Sequence, residues 1–206
     1  MARRSAVRLV FVVGLVALSL VAAAVPGASA SSSLLGLSND CGQASQPFAQ
    51  FGDYRSYTFG ANGGLENGSS GWSLSGPARV VGGNESYYVH SRYDKSSLAV
   101  SAGSVVYTPK LCMGTTSTWL RFFARSTDNG TVRVQVVLRN LLGNVLAVVQ
   151  ISDVSPGADW QPGPSILNLD SLLGLLGVSS IQLKFTALDG TVQIDDVYVD
   201  PWAWRD

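Results

Sequence analysis

Stretches in which apolar and polar residues alternate, each closed by a turn signal, recur along this 206-residue chain and restrict it to β architecture. In TVRVQVVLR, Val132, Val134, Val136 and Leu138 fall on one side of an extended chain, and Arg133, Gln135, Val137 and Arg139 on the other. STWLRFFAR sets Leu120, Phe122 and Ala124 against Trp119, Arg121, Phe123 and Arg125. SIQLKFTA sets Ile181, Leu183, Phe185 and Ala187 against Gln182, Lys184 and Thr186. NVLAVVQI, SLAVSAGSVVYT and ARVV add further strand candidates, with STDNGT, NLLGN and LDGT as turns. Residues 165–180 have some helical leucine spacing, broken by Gly174 and Gly177; they read as a short helix or packed loop, or as an exposed apolar contact surface. A succession of short strands with almost no helix, in a chain of 22 glycines and 8 prolines, predicts an all-β fold, a two-sheet antiparallel β-sandwich.

The first 30 residues have the build of an export signal: Arg3, Arg4 and Arg8, an apolar run from Leu9 to Val25, then Ala28, Ser29 and Ala30. Cleavage after Ala30 is the expected outcome, giving a secreted, extracellular protein with no membrane span; an uncleaved anchor is the alternative, because the run is near the lower limit for spanning. The organisation that follows is an extended lead-in over residues 31–61 and one sandwich domain over 62–202. Without the three leader arginines, 11 of the 14 basic residues face 14 acidic ones, a net charge of about −3 that argues against nucleic acid as a partner. Cys41 and Cys112 are the only cysteines, and in an exported chain such a pair reads as one disulfide. That bond would pin the lead-in and let Phe48, Phe51, Tyr54, Tyr57 and Phe59 pack on the domain.

Catalytic machinery is sparse. His90 is the single histidine, the glutamates are Glu66 and Glu85 alone, and no nucleophile elbow is present, so hydrolysis has no motif behind it and no enzyme is expected. One stretch resists the alternation. In TVQIDDVYVDP, Val192, Ile194, Asp196 and Tyr198 share one side while Gln193, Asp195, Val197 and Val199 share the other. Neither side is apolar throughout, so unless a bulge swaps faces at the pair, one carboxylate lies among aliphatic groups and needs a partner.

The phrase NGGLENGSSGW, residues 62–72, together with IDDV at 194–197, resembles the end motifs of galactose-binding-like jelly rolls, in particular carbohydrate-binding modules. Asn62, Glu66, Gly68, Gly71 and Trp72 match the opening phrase, SSLAVS stands where the family has another strand, and the resemblance spans roughly residues 62–199. It implies a jelly-roll sandwich and a non-catalytic module for a glycan or cell-envelope polysaccharide. It also implies a structural calcium ion held by Glu66 and by Asp195 or Asp196, the hard oxygen ligands that calcium takes. The RYDKSS stretch departs from the family pattern, and its Lys95 could replace the ion by an ion pair; backbone amides or an arginine are further partners for the aspartates. Sugar binding would fall to aromatic and polar residues on the outward faces: Trp119, Arg121, Phe123, Arg133, Gln135, Gln182 and Lys184, provided their strands are neighbours. The other reading covers Trp119 and Phe123 with the lead-in or the leucine-rich loop. The competing function is a structural or surface protein-interaction domain without a small ligand.

Overall fold

Thr191–Asp200 is the strand on which the fold is built, paired along both edges. A computed structural model describes residues 41–112, 119–165 and 177–201. The leader expected over residues 1–30, the first part of the lead-in and residues 166–176 of the leucine-rich stretch lie outside them. The described residues form twelve strands in two antiparallel sheets and a single turn of 3₁₀ helix, Ala49–Phe51, with no α-helix.

One sheet has seven strands: β1 (Ala44–Ser45), β2 (Tyr57–Phe59), β4 (Arg79–Gly82), β5 (Ser96–Ser101), β7 (Trp119–Arg125), β10 (Gln161–Pro162) and β12 (Thr191–Asp200). The other has five, in the order β3 (Ser73–Ser75), β6 (Val105–Tyr107), β11 (Ser180–Asp189), β8 (Thr131–Arg139) and β9 (Val145–Val154). The period-two runs become β7, β8 and β11, because only an extended chain puts residues two apart, such as Leu120, Phe122 and Ala124, on one side. SLAVSAGSVVYT is not one strand but two, β5 and β6, which lie in different sheets on either side of a turn.

The inner faces meet in the core. Leu98, Val100, Leu120, Phe122, Ala124, Val192, Ile194, Val197 and Val199 come from the seven-stranded sheet; Val106, Val132, Val134, Val136, Leu138, Ile181, Leu183, Phe185 and Ala187 come from the other. Each fully buried side chain of this kind contributes about 1.5–3 kcal/mol relative to exposure.

A second, aromatic cluster covers the outer face of the seven-stranded sheet. Phe48, Tyr57, Phe123, Trp160 and Tyr198 are buried in it, with Phe51, Phe59, Val89 and Trp119 packed around them. Phe48 sits at its centre, stacked on Phe123 with ring centroids 5.3 Å apart and edge-on to Tyr57 and Tyr198 at 5.1 and 5.5 Å. Residues 41–59 of the expected lead-in are therefore part of the sandwich, with β2 hydrogen-bonded to β12. The disulfide Cys41–Cys112 closes it, with Cα atoms 5.5 Å apart. Asp53 ties it down further: its carboxylate accepts hydrogen bonds from Tyr57 and Arg55 and pairs with Arg121 of β7. Tyr54 alone of the expected aromatics stands clear, 69% exposed.

Candidate functional site

The awkward aspartates lie at a β-bulge. Asp195 pairs with Phe123 and Tyr198 with Arg121, so Asp196 and Val197 on β12 oppose the single residue Phe122 on β7. The extra residue is Asp196, in the left-handed region with φ 44°. It flips the alternation, so that Val192 and Ile194 before it and Val197 and Val199 after it all enter the same core.

On the other edge of β12, β5 pairs as far as Ile194 and β2 resumes at Tyr198. The loop carrying NGG fills the interval: Gly60 N–H donates to Val197 O at 2.9 Å, and Val197 N–H to Gly63 O at 3.3 Å. Asn62 shapes that loop, donating to Gly68 O and Ser70 O and accepting from Asn67 N–H, while Trp72 Nε1–H donates to Asn62 O. The opening and closing phrases of the sequence thus meet at Asp196.

Around the bulge stand Asp195, Asp196, Glu85, Asp94, Glu66 and His90. Asp195 Oδ2 accepts from Glu85 N–H at 2.8 Å and its Oδ1 from Asp196 N–H at 2.8 Å. Glu85, fully buried, accepts from Tyr87 N–H and Val89 N–H. Glu66 Oε1 accepts from Lys95 N–H and Ser96 N–H at 2.8 and 2.7 Å. Asp196 is different. It is fully buried, and neither carboxylate oxygen has a hydrogen-bond partner. Burial, then the charges of Glu85 and Asp94, push its pKa up to about 8; the His90 backbone N–H, outside hydrogen-bonding geometry, pulls the other way. Burial and the Asp196 charge push Asp195 up to about 9 against its two amide bonds.

The expected calcium set of Glu66, Asp195 and Asp196 is only partly assembled. Backbone amides engage Glu66 and Asp195, and among the described residues Lys95 forms no ion pair with either aspartate. The donors that converge on Asp196 are instead Asp94 and His90: one ligand atom from each of the three lies within 4.8 Å of the others. His90 Nδ1 is 2.6 Å from Asp94 Oδ2, and the imidazole stacks on Phe59 at 3.7 Å between centroids. The sequence placed His90 and Asp94 four apart in one loop but carried no sign that the loop reaches β12.

The seven residues expected to bind sugar do not form one surface. Trp119, Arg121 and Phe123 lie on the outer face of the seven-stranded sheet, beneath residues 48–57. Phe123 is fully buried, the Arg121 guanidinium lies over the Phe48 ring at 4.7 Å and pairs with Asp53, and the Arg55 guanidinium covers Trp119 at 4.1 Å. The covered reading of Trp119 and Phe123 is the one the structure has.

Arg133, Gln135, Gln182 and Lys184 lie on the outer face of the five-stranded sheet, on adjacent β8 and β11. Arg133 is bound bidentate to Asp153 at 2.8 and 2.9 Å; Gln182 donates to Thr108 O and accepts from Arg139. Gln135 and Lys184 have no side-chain partner among the described residues. Cross-strand pairing places them in one row: Ser73, Tyr107, Lys184, Gln135 and Gln150 stand side by side on β3, β6, β11, β8 and β9. Tyr107 was legible as an outward residue, since Val106 beside it is core, but nothing in the sequence put its strand next to Lys184.

No protein-family model matches the chain, and no curated protein matches it in sequence. Among solved structures, the enzymatically active domain of tailspike protein 4 of bacteriophage CBA120 is similar over 68% of this chain and 20% of its own length, at 15% identity and a TM-score of 0.49. The CBM22-1 xylan-binding domain of Xyn10C from Paenibacillus barcinonensis is similar over 66% of this chain and 90% of its own, at 13% identity and a TM-score of 0.46. TmCBM61, solved with β-1,4-galactotriose, is similar over 67% and 94%, at 16% identity and a TM-score of 0.45.

Proposed function

We propose that this chain is an exported, non-catalytic glycan-binding module whose ligand lies across the outer face of the five-stranded sheet. The observation that carries the reading is the row Tyr107, Lys184, Gln135 and Gln150. A pyranose ring offers an apolar C–H face and a rim of hydroxyls. An aromatic ring beside amide and ammonium groups complements both, the ring by stacking and the polar groups by hydrogen bonds. The row crosses four strands, about 14 Å at the usual interstrand spacing, which suits an oligosaccharide better than a single sugar. The end motifs that resemble carbohydrate-binding modules support the same reading, and the leader and disulfide support an extracellular setting.

A glycan array screened with the purified protein identifies the ligand, and calorimetry then reads the variants. Tyr107→Ala and Lys184→Met each weaken binding about fivefold or more, equivalent to about 1 kcal/mol, without lowering Tm appreciably. Trp119→Ala leaves affinity unchanged, because Arg55 already covers that ring. Affinity indifferent to both Tyr107→Ala and Lys184→Met refutes the site.

A further inference from the structure

The bulge of β12 leaves a carboxylate in a setting that protein groups alone do not satisfy. Asp196 is fully buried, both of its oxygens lack partners, and Glu85, Asp94 and Glu66 add negative charge around it. Protonation would remove the charge but still leave the oxygens without a donor, a cost of about 1–3 kcal/mol for a buried polar group. Something positive that accepts lone pairs resolves both problems at once.

Space for it exists. A Cβ on Gly64 would come within 2.8 Å of Asp196 Oδ1 and 3.8 Å of Asp94 Oδ2, so the absence of a side chain there keeps a cradle open between the two carboxylates. His90 completes the set, with one ligand atom from each of the three residues within 4.8 Å of the others and its Nδ1 already 2.6 Å from Asp94 Oδ2. A four-coordinate ion with bonds of about 2.0–2.1 Å needs its donors about 3.3 Å apart, so the 2.6 Å hydrogen bond between His90 Nδ1 and Asp94 Oδ2 opens by about 0.7 Å as the ion replaces the shared proton. The ring of His90 is held in plane against Phe59, tilted by only 9°, and its side chain is 38% exposed, which gives an ion a route from solvent.

We propose that His90, Asp94 and Asp196 bind a divalent transition-metal ion of the zinc class, with water as the fourth ligand. The nitrogen decides against calcium, which takes six to eight oxygens; imidazole with two carboxylates is a donor set for zinc and its neighbours. Glu66 and Asp195, expected as ligands, stay with the backbone amides that hold the loops around the site. The ion would join the loop of residues 85–94 to the central strand, independently of any glycan on the opposite sheet.

The test is thermal denaturation of the chelator-stripped protein, titrated separately with zinc sulfate and calcium chloride. Zinc raises Tm by about 5–10 °C at a hundredfold excess over its dissociation constant, and calcium raises it less. Asp196→Asn and His90→Phe both abolish the zinc response; phenylalanine keeps the stack on Phe59 while removing the nitrogen. Should either variant fail to fold, cobalt(II) added to the native protein decides, giving strong visible absorption at a four-coordinate site with a nitrogen ligand. A calcium response exceeding that of zinc, a zinc response surviving His90→Phe or Asp196→Asn, or weak six-coordinate cobalt absorption each overturns the proposal. So does the absence of any metal response.

Discussion

Phe48→Ala tests whether residues 41–59 are part of the fold or a segment laid over it. The ring is fully buried, stacks on Phe123, meets Tyr57 and Tyr198 edge-on, and lies under the Arg121 guanidinium. A buried Phe→Ala change costs about 3–5 kcal/mol through lost transfer energy and the cavity left behind. The ring pairs contribute about 0.5–1.5 kcal/mol each beyond area, and they are included in that range rather than added to it. A loss of about 4 kcal/mol is therefore expected, a large share of the 5–15 kcal/mol typical of a whole domain. It lowers Tm by about 10 °C in a domain of this size. Equilibrium urea unfolding followed by both tryptophan fluorescence and far-ultraviolet circular dichroism measures it, with Tyr54→Ala, at an exposed site, as a control expected within about 0.5 kcal/mol of wild type. If Phe48→Ala costs less than about 1 kcal/mol, or shifts the fluorescence transition but not the dichroism, the segment unfolds on its own and the argument for integration fails.

Replacing Cys41 and Cys112 together by alanine removes a link across 71 residues, and unfolding should show a loss of about 4 kcal/mol; a variant as stable as wild type would contradict it. Burial raises the Asp53 pKa, but the Tyr57 hydroxyl, the Arg55 N–H and Arg121 outweigh it and hold the carboxyl below 3.8. A depressed folded pKa gives stability that is present above the unfolded value and lost as pH falls through the folded one, so Asp53→Asn should flatten the acid limb of the stability profile below about pH 4. Parallel acid limbs for variant and wild type would show that this carboxylate is not coupled to folding.

The sandwich was largely legible because its inner faces are encoded locally. Ile181 to Ala187 on β11 alternate without a break and Val132 to Leu138 on β8 do so but for Val137, and an extended chain buries each alternating set on one face. Residues 41–59 have no such period. Their place was set by contacts across long stretches of chain, Phe48 with Phe123 and Asp53 with Arg121, which no local pattern announces. The sugar-binding set fails for a related reason. Alternation says that Trp119 and Gln135 both point away from the core, but a sandwich has two outer faces, and parity does not say which one a strand belongs to. Only the ladder does: β7 pairs with β12 in one sheet, β8 with β11 in the other. Nor does parity say whether a face is wet, and here the aromatics of residues 48–59 cover one face, while among the described residues no such cluster lies over Tyr107 and Lys184 on the other.

Asp195 and Asp196 show how a broken pattern can be the most informative part of a sequence. A regular strand through TVQIDDVYV must put either Ile194 or Val197 on the wrong side; a bulge removes the conflict and leaves one residue belonging to neither face. An apolar residue there would have had to adopt φ 44°, which aspartate and asparagine tolerate better than β-branched side chains. Backbone conformation thus accounts for a short polar residue at 196 but not for a charged one, since asparagine would fit the bulge equally well and bring its own donors. The extra negative charge, set where Glu85, Asp94 and Glu66 already oppose it, lowers the stability of the bare protein. Asp196→Asn should therefore stabilise the metal-free domain, read as a higher Tm in chelator than wild type, while removing the response to zinc; a variant no more stable than wild type in chelator would refute the argument.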